Sequence, residues 1–177
     1  MTPNWTRKEV PVPRPHPFVT YLERLSEDHA ALAALRRGLG QPLGTVADMY
    51  QYVVPWVPQG STRRYEEALY LIAALYASHP ESGGQGNVGD HFARVRQPGG
   101  HTAVERRFVA LLSSHPDDLP LHLRQAVSYL KARDVAVNWG QLLRDLLHWG
   151  YPDRRVQKQW ARRFWSSAEQ QGTTQEA

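Results

Sequence analysis

Thr62–Ser78 reads TRRYEEALYLIAALYAS. Leu69, Ile72, Ala73 and Tyr76 recur there at helical spacing and form one apolar stripe, so the stretch is a strong helix. The sequence around it repeats the pattern at shorter lengths. Residues 80–87, with three glycines, form a loop. A short helix from Asn87 to Arg96 ends at Gln97-Pro98-Gly99-Gly100. Thr102 and Glu105 have capping-box spacing, and the helix they start buries Val104, Phe108, Leu111 and Leu112. His115-Pro116 ends it, and another helix runs from about Asp118 to Arg133. Asn138 caps the next, with Leu142, Leu143, Leu146 and Leu147 inside. Gly150 stops that helix, and Pro152 opens the last one, to about Trp165.

Toward the N-terminus, Val53 to Gly60 is broken by Pro55 and Pro58, and Thr45 is placed to cap a short helix through Val54. Pro17 suits a first helical turn, and Phe18, Tyr21, Leu22, Leu25, Leu32 and Leu35 follow at helical spacing until Gly38 and Gly40 stop the run. No stretch reads as a strand. The expected fold is all-α, a compact bundle of about eight helices. Its domain spans 17–165, with room for two lobes divided near 97–101. Residues 1–16 read as a flexible Pro-rich arm and 166–177 as a polar tail.

The 177 residues are 41% hydrophobic, enough for a real core. The absence of cysteine excludes disulfides, thiolate metal sites and a cysteine nucleophile, and fits a reducing cytoplasm. No run of about 18 apolar residues exists to span a membrane, and no apolar signal core opens the chain.

Charge is unevenly placed. Residues 1–93 sum to −1, residues 94–165 to +7 and the tail to −2, for a net +4. Of 21 basic residues, 18 are Arg, whose planar fork binds phosphate through several donors. On the last helix Val156, Trp160 and Phe164 face inward, which leaves Arg154, Arg155, Lys158 and Arg162 on its flanks. Arg106 and Arg107 flank the buried Phe108, and Arg94 and Arg96 precede the glycine loop. Arg124, Lys131 and Arg144 add points on neighbouring helices. Such rows suit a polyanion, because each phosphate contact releases condensed counterions. They position nucleic acid without reading sequence.

Catalytic patterns are missing. His29 and His91 follow Asp28 and Asp90 in the reverse of the His-Asp order of metal-dependent phosphohydrolases, and no two histidines stand at i, i+4. Gly83-Gly84-Gln85-Gly86 lacks the Gly-Lys-Ser/Thr of a phosphate loop. Neither an enzyme nor a cofactor is expected. Trp139, Trp149, Trp160 and Trp165 have core spacing, whereas Trp56, between Pro55 and Pro58, is placed for exposure.

Several ordered blocks resemble a known family. They are Ala68–Ala77, Glu105–Leu112, Leu121–Val127, Val137–Trp139, Leu142–Trp149 and Arg154–Arg162. Together they are similar to the CasB family, the small subunit of the type I-E CRISPR surveillance complex, Cascade. The resemblance covers about 18–165. It implies a non-catalytic subunit that bridges the backbone and large subunits, beside a second copy of itself. It implies contact with guide RNA and target DNA that stabilises the R-loop, with sequence read by guide pairing. Carried over by position, the basic contacts are Arg36, Arg37, Arg64, Arg94, Arg106, Arg107, Arg124, Arg144, Arg154 and Arg155. Some relatives are basic where this chain has Ser113-Ser114-His115-Pro116, so no contact is carried over there. The alternative within the same complex is a protein–protein scaffold that touches no nucleic acid.

Overall fold

Helix starts in this chain are set by short polar side chains that take up free backbone N–H groups. The computed structural model describes residues 14–96 and 102–172. The expected arm lies almost entirely outside them, as do the boundary near 97–101 and the last five tail positions. Among the described residues there are nine α-helices and no strand.

His16 accepts from the Phe18 N–H at 3.2 Å and starts α1, Pro17–Arg24. The helix expected to continue stops at Leu25. Asp28 Oδ1 accepts from Ala31 N–H at 2.9 Å and opens a separate α2, His29–Arg36. One expected helix is therefore two, because an Asp in mid-run satisfies a new N-terminus better than it continues an old helix. Thr45 does not cap. Its hydroxyl donates to the Pro42 carbonyl at 2.7 Å. A 3₁₀ turn at Ala47–Met49 leads into a single turn of α3, Tyr50–Val53, and a second 3₁₀ turn at Val54–Trp56 holds Pro55.

The long helix α4, Arg63–Ser78, is capped by the Thr62 hydroxyl and buries every residue from Ala68 to Ala77. The expected stripe is thus a helix apolar all round, the pattern of a central element. Three later helices follow familiar signals. Asn87 and Asp90 close a reciprocal capping box on α5, Val88–Arg94. Thr102 starts α6, Ala103–Ser113, and α7, Leu119–Lys131, comes after the His115-Pro116 break. Asn138 caps α8, Trp139–His148. The last helix, α9, Arg155–Gly172, departs from expectation at both ends. Pro152 sits in the preceding turn, and Arg154, in the left-handed region at φ 52°, accepts the first helical bond, from Lys158 N–H. At the other end the backbone stays helical past Trp165.

The helices α1, α2, α3, α7 and α8 surround α4, and α5 lies along α9. One hydrophobic cluster draws from both sides of residue 97, including Leu69, Ile72, Phe92, Phe108, Leu143 and Trp160. Each fully buried Leu or Phe in it is worth about 1.5–3 kcal/mol. Trp139, Trp149 and Trp160 are buried as expected. Trp56 is half-buried against Phe18 and Tyr21, more covered than its prolines suggest. Asp145 joins α8 to α9. Buried, it accepts from Trp160 Nε1 at 2.7 Å and from Gln141 Nε2 at 2.8 Å. Burial pushes its carboxyl above the usual range, against the pull of those two donors.

Candidate nucleic-acid interface

The basic side chains sort into a trough, a helical face and a set held by the protein itself. The trough begins between α6 and α7. There Arg107 stands 4.7 Å and Arg133 3.5 Å from the ring centre of Tyr129. Arg133 also donates to the Tyr129 carbonyl at 3.3 Å, and Phe92 stacks on the ring at 5.9 Å. Cation–π contact holds both guanidinium groups without neutralising them. Leu121 and Arg124 also line a second, adjoining groove, between residues 38–45 and the N-terminal ends of α4 and α7. Arg63 and Arg64 line that part. Arg124 lies against Gly40, where a Cβ would stand 2.7 Å from its Nη1. The acidic groups there are Glu67, which pairs with Arg63 at 2.7 Å, and Asp117.

Of the twelve residues expected at the interface, the trough therefore gathers Arg64, Arg107 and Arg124. It adds Arg63 and Arg133, which were not expected. Arg133 had a readable signal, since it stands four residues after Tyr129, in the turn that follows α7.

A second basic face lies on α6 and α9. Phe108 and Phe164 meet at 4.3 Å, and the Trp165 indole donates to Glu105 at 3.2 Å. Arg154 donates to the Leu112 carbonyl at the far end of α6. These contacts set the two helices side by side and antiparallel. Arg106, Arg154, Lys158 and Arg162 are exposed along them. Arg155 stands at the start of α9, 4.0 Å from the Tyr151 ring centre and 3.7 Å from Asp153. Arg106 and Arg107, adjacent in sequence, thus serve different surfaces. Adjacent helical residues point about 100° apart.

The remaining expected contacts are not brought to either surface. Arg37 pairs with Asp48 at 2.5 Å. Arg36 donates to the Leu32 carbonyl of its own helix at 3.2 Å. Arg94 donates to the Gln85 carbonyl at 3.2 Å, and Arg144 to Gln141 Oε1 at 3.1 Å. Gln141 spends its other end on Asp145, so it stands between Arg144 and the carboxylate next to it.

Among the described residues, no three His, Asp or Glu side chains converge on a point that could hold a metal ion. His79 is buried with its Nε2 2.9 Å from the Val135 carbonyl. Asp28 and Asp90 cap α2 and α5, and Asp90 also accepts from Arg163 at 2.7 Å. No helix among the described residues is long and apolar enough to cross a membrane.

Comparison with known proteins agrees with this helical frame. The family model described as CRISPR-associated protein Cse2 matches residues 31–165. A CRISPR-associated protein Cse2 from Thermus thermophilus is 38% identical over 156 residues, 85% of this chain and 89% of that protein. The crystal structure of CasB from Thermus thermophilus superimposes with a TM-score of 0.74 at 34% identity, covering 84% of this chain and 96% of that one. A chain of a CRISPR RNA-guided surveillance complex, in a pre-nicking state, does so with a TM-score of 0.76 at 27% identity, covering 90% and 96%. With the family model matching most of its length, this chain belongs to the Cse2 family.

Proposed function

We propose that this chain is a non-catalytic subunit of a CRISPR RNA-guided surveillance complex, and that it grips nucleic-acid backbone along the Arg64–Arg124–Arg107–Arg133 trough. Relatives of the same length and fold support the first part, since one is a chain of such a complex. The adjoining of the two grooves at Arg124 carries the second. Four guanidinium groups from α4, α7 and the α6–α7 groove line one path, and only Arg63 beside it is spent on a carboxylate. Arg forks spaced along a groove hold successive phosphates and leave the bases to pair with a guide. The face on α6 and α9 supplies a second set of cations for another strand or another stretch of the same one. In this role the subunit stabilises guide RNA, target DNA and the R-loop, against the backbone and large subunits and a second copy of itself.

Fluorescence anisotropy of the isolated protein on labelled single-stranded DNA and RNA tests the grip. Binding at low salt, without sequence preference and falling steeply as salt rises, is expected. Absence of binding to either strand at low ionic strength would leave the chain a scaffold that docks proteins alone.

A further inference from the structure

The floor of the trough is open. Where it passes Arg64, a cavity of about 150 Å³ sinks between α4, α7 and α8. It shares Arg64, Glu67, Leu71 and Asp117 with the trough, and its inner wall is Ala68, Leu146 and Trp149. The wall is buried, while Arg64 and Asp117 are exposed at the rim. The pit is therefore apolar inside and charged at its mouth.

We infer that this pit takes a single nucleobase of pyrimidine size, turned out of a strand whose phosphates lie on Arg64 and Arg124. The inference rests on the trough being a backbone site. Size favours one ring, because a recess near 150 Å³ has room for a benzene-sized group, and a second fused ring would project into the trough on which it opens. Charge selects its chemistry. Arg64 and Arg124 flank the approach, so a ring arriving there on a phosphodiester chain is favoured over an apolar side chain on a neutral peptide. Rim carboxylates suit the N–H groups on a pyrimidine edge, as an acidic side chain accepts from cytosine N4. Trp149 closes the inner wall, its side chain 3% exposed.

The test uses the full chain and three labelled strands of equal length: deoxypyrimidine, deoxypurine and abasic. At low salt the wild type is expected to bind the pyrimidine strand about tenfold more tightly than the abasic one, the worth of one stacked base. The purine strand should fall nearer the abasic value. Ala68→Leu fills the pit and is expected to erase the pyrimidine advantage while abasic affinity stays constant. Should that variant not fold, Leu146→Phe occupies the same space. Equal wild-type binding of pyrimidine and abasic strands overturns the pit but keeps the trough, and leaves the hole to a partner's apolar side chain. A pyrimidine advantage that survives filling also overturns it. No binding of any strand overturns the trough itself.

Discussion

The guanidinium of Arg64 lies flat across Gly150. A Cβ on that glycine would stand 2.5 Å from Nη2, 2.7 Å from Nη1 and 2.9 Å from Cζ of Arg64. Gly150 follows the end of α8, where the last carbonyls carry the negative end of the helix dipole. One missing methyl thus lets an Arg from α4 cover the end of α8 and still line the trough. Gly150→Ala should push the fork aside with little cost to the fold, because only the flexible end of a side chain must yield. Its thermal stability is expected to stay within about 0.5 kcal/mol of wild type. The slope of log affinity against log salt for a single strand should lessen by about 0.7, one phosphate contact. An unchanged slope would remove Arg64 from the contact set.

The division of cations between surfaces predicts different outcomes for neighbouring residues. The double reversal Arg107→Glu with Arg124→Glu puts acid at two adjoining points of the trough. It should weaken single-strand binding by at least about tenfold at low salt. Arg37→Glu breaks only an exposed pair with Asp48, a contact worth about 0.2–1 kcal/mol, and should leave binding unchanged. The same loss per reversed charge in both variants would mean that net charge alone matters, and the trough would lose its standing.

Local signals carried most of the fold into the sequence. Thr102 and Asn138 each start a helix where their spacing says, and the helix expected from Asn87 is opened by its box with Asp90. Misread positions are those where a polar residue had two uses. Asp28 stood inside one expected helix and proved a cap, Thr45 looked like a cap and bonds backward, and Pro152 gave way to a turn through Arg154. The interface was less legible for a geometric reason. Arg64 and Arg124 share a groove across sixty positions, and no local pattern encodes that meeting. Only the four-residue spacing of Tyr129 and Arg133, across the end of α7, marked part of the trough locally.

Packing between α5 and α9 depends on Gly89. A Cβ there would collide with the Trp160 carbonyl oxygen and stand 2.8 Å from its carbon, both backbone atoms of the facing helix. Unlike Arg64 beside Gly150, this neighbour cannot swing away. Gly89→Ala must separate two helices and disturb the burial of Trp160, which also donates to Asp145. Overpacking of this kind costs about 1–3 kcal/mol. Denaturant titration should show an unfolding free energy lower by that amount, although Ala is the better helix former. A stabilised variant would mean that the helices do not approach so closely.

His91, fully buried on the same helix, predicts how the fold responds to acid. Burial drives its imidazole from 6.5 down to about 4, the positive Arg94 adds to the fall, and Asp90 opposes it. In the folded chain the ring stays neutral at a pH where the unfolded chain already binds a proton. The unfolded state then holds more protons, so stability is complete above 6.5 and drains away as pH falls toward 4. The loss from this one group amounts to about 3 kcal/mol, because each tenfold drop in proton affinity on folding is worth about 1.4 kcal/mol. Urea midpoints measured across that interval should fall steadily for the wild type. His91→Leu keeps the position apolar and removes the titration, so its midpoints should fall less steeply between the same limits. Parallel curves for the two proteins would show that the buried imidazole does not govern the acid limit.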